Sequence, residues 1–592
     1  MENGFRTVHH HVAFAVVGGG LSGMCAAIEA ARHGVKVALV QERPMLGGNA
    51  SSEIRMWVCG AHEKNMLETG IIEEIQMENY YRNPDKNYSI WDGILYEIVR
   101  YEPNIDLILN CSVNALEMNG GKIASVTGWQ LTTQENHVIH ANYFADCSGD
   151  SILAPLCGAE YRVGREARKE FGESFGPDEA DRKTMGMSCM VQAREEDRPS
   201  EFIPPKWAYK FTKEDLPNRV PHMENPWENF WYLELGGEYD SIHDTEWLRD
   251  ELLKVAYGIW DFVKNDPENK EKYANWRLDW MGILPGKRES RRYIGDHILI
   301  EKEVLEAGKS FDDIVAYGGW PMDDHDPAGF RSPGVPNVNH PAPSPYCIPY
   351  RCMYSKNVEN LFFAGRNISV SHCAVSSTRV MATCSLIGQA VGAAAAVAVR
   401  DNLSPRGVYE QKIKEVQQIL MDDDCYLPFN TRNVPELTKN AAIHCVAADA
   451  ENLRNGVDRP VGENDNGCTL ALGEAVEYDF GCEKPISRVR IVWDSDLNRE
   501  TMPAINGRIW DKNMLHNRSW HSPDFYVPKT MTKAYRIEGV KADGTVVTLY
   551  EESNNYQRLN KVAVEGVYQQ VRLVPTQTWG NEKVHLFAFD VR

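Results

Sequence analysis

An α/β fold of parallel strands, split by an inserted α+β domain and followed by an all-β carboxy-terminal sandwich, is the architecture this sequence predicts. Three observations predict it: a strand–turn–helix–strand unit near the amino terminus, an apolar strand with a small-residue helix far downstream, and a final stretch of short strands separated by turns. The 592 residues suffice for two to four domains at roughly 100–200 residues each. With 43% hydrophobic and 25% charged residues the composition is globular, which excludes a collagen-like, disordered or disulfide-stapled chain.

The elements follow in order. Residues 12–17 are apolar and β-branched, 21–33 are Ala-rich and helical, and 35–40 are apolar again, a βαβ unit. Apolar positions recur at helical spacing over 70–100, residues 105–109 and 122–130 alternate as strands, and Asn119-Gly120 marks a hairpin turn. A buried strand at 143–147 ends in Ser148-Gly149-Asp150 and completes a first segment, 1–160. Over 161–345 the texture changes: eight of the fifteen tryptophans fall between Trp207 and Trp320, which marks an inserted substrate domain. These rings are either aromatic core or flat walls for a ring-shaped substrate. The strand 361–364, the small-residue helix 381–400 and a helix at 409–421 return the chain to the first domain as its second segment, 346–439. Short strands at 476–480, 486–492, 546–550 and 570–573 then predict the sandwich, 440–592.

The formal charge, 63 − 84 = −21, sets nucleic acid and anionic membrane aside as partners. The longest apolar run, 386–399, falls short of the ~20 residues that span a bilayer and reads as a buried helix. No secretory signal is read at the amino terminus. Fourteen cysteines at irregular spacing, with no Cys-x-x-Cys pair, predict reduced thiols in a cytoplasmic protein.

Gly18-Gly19-Gly20-Leu21-Ser22-Gly23 satisfies G-x-G-x-x-G between strand and helix. Gly18 permits the tight turn, Gly20 lets the backbone approach a pyrophosphate, Gly23 allows close helix packing, and the helix start at Leu21 and Ser22 offers free N–H donors. Glu42 ends the second strand 24 residues after Gly18, where it can accept a bond from a ribose hydroxyl; an ordinary surface carboxylate is the plainer alternative. This spacing predicts a dinucleotide without separating NAD from FAD. Three further segments point to FAD. Arg43-Pro44-Met45-Leu46-Gly47-Gly48-Asn49-Ala50 follows at once, Ala145-Asp146-Cys147-Ser148-Gly149-Asp150 resembles the "A-T-G" strand end of flavoproteins, and Leu361-Phe362-Phe363-Ala364-Gly365-Arg366 resembles the strand that reaches the ribityl chain, with Arg366 replacing the usual acid.

On these residues the chain resembles the bacterial FAD-dependent oxidoreductases built on a Rossmann-like, glutathione-reductase-like two-part domain. Gly286-Lys287-Arg288-Glu289-Ser290-Arg291-Arg292, Asp323-Asp324-His325, Tyr346-Cys347-Ile348-Pro349-Tyr350-Arg351, and the stretch from Ala364 through His372, Arg379 and Gly388-Gln389-Ala390 extend the likeness over about residues 10–400. The resemblance implies FAD held by Gly18, Gly20, Leu21, Ser22, Gly23, Glu42, Arg43, Gly47, Gly48, Asn49, Ala50, Arg55, Val113, Ser148, Gly149, Gly365, Arg366, Arg379, Val380 and Met381. It implies an oxidoreductase that moves a hydride between flavin and a small polar substrate; the sandwich and the aromatic walls suggest a carbohydrate-derived one, and a carboxylate-bearing one read by arginines is equally compatible. A non-catalytic carbohydrate-binding or scaffold protein that keeps the nucleotide domain is the alternative, and an NAD enzyme using the first motif alone is a third.

His372 is the first candidate for general acid/base, against an ordinary histidine bonded to a loop carbonyl. His325, oriented by Asp323, is the second. Arg291, Arg351 and Arg379 are candidates to clamp a substrate oxyanion or the flavin carbonyl. No metal is expected, because carboxylates as close as Asp323, Asp324 and Asp326 converge only through a turn and no other histidine cluster is read beside them. The carboxy-terminal region loosely resembles the galactose-binding-like sandwich, with Trp510, Trp520 and Trp579 available to sugar, or serves structure or self-association as a homo-oligomer.

Overall fold

The computed structural model describes residues 4–505, 508–509, 512–520 and 522–592. The chain forms two compact units, one of residues 1–61, 86–416 and 512–522, the other of 62–85, 417–511 and 523–592. The expected division at 345 therefore marks no separate body. Strand Ile314–Gly318 pairs with Tyr346–Pro349 across that boundary, and Tyr293 N donates to Asn367 O at 3.0 Å, so the insert shares its hydrogen bonds with the returning segment.

In the first unit β1 (Thr7–Val17), β2 (Val37–Val40) and β3 (Ile105–Ile108) run parallel; β4 (Cys111–Asn119) and β5 (Lys122–Gln130) form the predicted hairpin; β6 (Glu135–Asp146) lies between β1 and β5. The order is β3-β2-β1-β6-β5-β4, and Leu361–Phe363 joins the carboxy-terminal half of β6 in parallel as the seventh strand. One long strand thus serves two partners on the same edge, β5 along residues 135–140 and the returning segment along 144–146. Helix α1 (Leu21–Arg32) is buried almost throughout because helix Met381–Asp401 covers it. That helix, longer than the apolar run predicted, is long and apolar enough to cross a membrane by length and composition, but lies buried in the fold. Its glycines explain the closeness: a Cβ on Gly392 would stand 2.5 Å from the Ala26 carbonyl oxygen, and one on Gly388 would strike that of Ser22. Gln389 donates to the buried Glu29 at 2.9 Å, which satisfies a polar pair between the helices.

The insert builds its own core under helix Thr245–Asn265, where Val255, Ile259, Trp260 and Val263 pack on Val191, Phe230 and Trp276. The second unit holds the all-β region, ordered around two long strands, Val476–Trp493 and Leu559–Thr578. The two strands expected at 476–480 and 486–492 are one: it passes through Gly481 with register shifts that bend rather than end it. Helix Ile71–Arg82, expected in the first segment, belongs to this second unit, where Glu73 meets Arg499 at 2.7 Å with both side chains 1% exposed.

Candidate active site

The site forms where β1, β2 and β6 end at the mouth of α1. Gly18 has φ +110°, and a Cβ there would strike the Cys147 carbonyl at the end of β6, so only glycine closes this turn. Gly23 packs against the Gly18 carbonyl with no room for a side chain. Gly20 meets almost nothing, a Cβ there standing 3.9 Å from the nearest atom, and leaves the loop open to a ligand. The helix start carries no side-chain cap and no acid in its first turn, so its N–H groups stay available. The second glycine loop is tied to the first by Gly47 N to Gly19 O at 2.8 Å. Buried Gln41 links both, accepting from Gly19 N at 2.8 Å and donating to Met45 O at 3.0 Å.

Around these loops lies a cleft of about 330 Å³. Gly18, Gly20, Leu21, Ser22, Glu42, Arg43, Gly47, Gly48, Asn49, Val113, Ser148, Gly149, Arg291, Gly365, Arg366, Arg379 and Met381 line it, together with Asp150 and Lys287. Asp150 holds two cations at once, Arg366 at 2.5 Å and Lys287 at 2.8 Å, and accepts from Ser290 Oγ at 2.7 Å. Burial works against its charge, yet Arg366 and Lys287 keep the carboxyl well below the usual range. Arg366, read from sequence as a departure, therefore brings a carboxylate with it. Buried Nε and Nη1 of Arg43 and Nε of Arg379 make no hydrogen bond, donors that suit an anionic, oxygen-rich ligand.

The model of the family described as FAD dependent oxidoreductase matches residues 14–420. The chain belongs to that family. FAD is its cofactor, and the uncapped helix start, the open Gly20 and the bond-free arginine donors fit a bound dinucleotide. Among solved structures, a geranylgeranyl bacteriochlorophyll reductase-like protein from Thermoplasma acidophilum is 12% identical, with TM-score 0.33, covering 70% of this chain and 86% of its own. A family 32 carbohydrate-binding module from Streptococcus pneumoniae is 12% identical, with TM-score 0.19, over 26% of this chain and 97% of its own. Another from Clostridium perfringens, in complex with GalNAc-β-1,3-galactose, is 12% identical, with TM-score 0.17, over 26% and 96%. No curated protein shows significant similarity to the chain.

FAD supplies hydride transfer when bound, and the residues around the cleft would hold it and place charge beside it. Strand Met322–His325 points Asp323 and Asp324 to opposite faces, and each aspartate meets one of the two candidate histidines. His325 lies between Glu234 (Nδ1 to Oε2, 2.5 Å) and Asp323 (Nε2 to Oδ2, 3.1 Å). His372 lies between Glu289 (Nδ1 to Oε2, 2.9 Å) and Asp324 (Nε2 to Oδ1, 3.4 Å). Burial alone would lower both imidazoles, but the facing carboxylates outweigh it: His325 is raised and His372 reaches about 9. Neither ring is among the residues that line the cleft; His325 is linked to it through Asp323, which holds Arg379 Nη2 at 3.0 Å.

Other expected contacts sit elsewhere. Arg351 forms a two-point pair with buried Asp313, 3.0 Å at each contact, and does not line the cleft, because a carboxylate with no exposure requires that countercharge. Arg55 covers the Trp280 ring at 4.4 Å, Val380 packs with Trp57 and Cys59, and the Ala50 carbonyl accepts from Trp91 Nε1 at 2.8 Å, all outside the lining. Among the described residues no tryptophan lines the cleft, so the expected flat walls are not seen there, and Trp260 and Trp276 belong to the core of the insert. Of the rings assigned to sugar, Trp510 lies outside the described residues, Trp520 belongs to the first unit, and Trp579 spends its N–H on Asn555 O at 2.8 Å under Lys533. Sequence reasoning gave no role to Gln41, Asp150, Lys287, Glu234 or Glu289. The one available signal was position, since Gln41 precedes Glu42 and Asp150 closes the Ser148-Gly149 turn.

Proposed function

We propose that this FAD-dependent oxidoreductase transfers a hydride between flavin and a small polar substrate that carries an acidic group, with sugar acids the first class to test. The charge of the cleft carries the reading: in a chain of net charge −21 the lining gathers Arg43, Lys287, Arg291, Arg366 and Arg379. Glu42 and Glu53 face Arg43, Asp150 holds Lys287 and Arg366, and Asp323 holds Arg379, which leaves one of the five unmatched. Arg291, which meets the Asp150 backbone carbonyl at 3.3 Å and the Tyr161 ring at 5.6 Å, has no carboxylate partner among the described residues and is assigned to the substrate anion. Arg379 is the second donor, and Asp323, His325 and Glu234 position it. A cytoplasmic setting accords with fourteen free cysteines.

The test is the visible spectrum of the holoprotein under anaerobic addition of sugar acids, neutral sugars and polyols. Bleaching of the oxidised flavin bands by sugar acids, weakened in Arg291→Gln with flavin content unchanged, is expected. Bleaching by neutral sugars alone removes the acidic group, and bands unchanged by every compound refute hydride transfer from this class.

A further inference from the structure

Strand β1 carries His9, His10 and His11 in succession, and β6 carries His137 and His140. Pleating separates them: His9 and His11 share one face with His140, while His10 turns to the other with His137. In the parallel register His11 stands directly opposite His140. The His140 ring lies 5.6 Å from that of His9 and 4.8 Å from that of His11, with interplanar angles of 12° and 9°.

The nitrogens His9 Nδ1 and His140 Nε2 are 3.3 Å apart. That distance is within hydrogen-bond reach of a ring N–H and a bare ring nitrogen. It also matches the edge of a tetrahedral metal site, since two imidazole nitrogens at about 2.0–2.1 Å from zinc lie roughly 3.3–3.4 Å apart. From this geometry we infer that His9, His11 and His140 form a surface site for a divalent ion of the zinc class. His9 Nδ1 and His140 Nε2 are the first two ligands, His11 joins by side-chain rotation, and water completes the shell. His9 and His11 are exposed, so an ion arrives without opening the fold. β2 pairs with β1 only along residues 14–17, so among the described residues the histidine end of β1 has β6 as its strand partner, and the ion pins the two together. On the reverse face His10 Nε2 and His137 Nδ1 are 2.8 Å apart, ordinary hydrogen-bond distance, with His137 Nε2 3.0 Å from Gln130 Oε1. That pair serves as the control.

The experiment titrates the full-length holoprotein, free of any added histidine tag, with Zn²⁺ by calorimetry and with Co²⁺ by absorption. One ion per chain is expected, with affinity weakened about tenfold or more in His140→Gln and in the double variant His9→Gln/His11→Gln, and unchanged in His10→Gln. The double variant alters exposed side chains and tests the site even if His140→Gln fails to fold. Absence of saturable binding, or binding equal in wild type and the double variant, overturns the inference.

Discussion

Raising the pH from about 6 to about 10 should remove a share of stability carried by His372, because the fold holds that proton more tightly than the unfolded chain does. In the unfolded chain the imidazole titrates near 6.5; in the fold, burial opposes protonation, but Glu289 and Asp324 prevail and raise it to about 9. The native state binds more protons between those values, so stability falls as pH rises through them. The contribution is whole below about 6.5, declines across the interval, and is gone above about 9; the gap corresponds to about 3 kcal/mol. The assay is chemical unfolding of the holoprotein, followed by release of flavin fluorescence so that the first unit is reported, in wild type and His372→Gln across this range. The advantage of wild type over the variant should shrink as pH rises. A difference that stays constant, or grows with pH, refutes the assignment of the proton to a Glu289–His372–Asp324 clamp.

Three further outcomes follow from the packing. Gly23→Val should yield protein without flavin, since even a Cβ strikes the Gly18 carbonyl; an absorbance ratio showing full flavin content would contradict this. Asp150→Asn leaves Arg366 and Lys287 without their shared carboxylate and should weaken FAD binding about tenfold or more, measured by equilibrium titration of the apoprotein. Glu73→Ala leaves Arg499 buried without its charge partner and should destabilise the second unit by about 3–5 kcal/mol, visible as a lowered calorimetric transition for that unit.

Legibility in the sequence followed the range of the interaction. The glycine spacing at Gly18, Gly20 and Gly23, the strand at residues 361–364 and the hairpin at Asn119-Gly120 are local patterns, and the structure places each as read. The partners of His372 and His325 were not legible because Glu289 and Glu234 lie 83 and 91 residues away, and no local pattern shows that these carboxylates meet the imidazoles. The histidine triad escaped for the same reason: three adjacent histidines do not share a face, and His140 joins two of them only through the β1–β6 register.

What the sequence by itself determined is the split α/β frame, the all-β carboxy-terminal region and the dinucleotide loops, because hydrophobic period, glycine spacing and strand punctuation act over a few residues. Only the tertiary structure decided which charges meet. Asp150 with Arg366 and Lys287, Asp323 with Arg379, and Glu73 with Arg499 are pairings across distant segments, fixed by burial that makes an uncompensated charge too costly to leave alone.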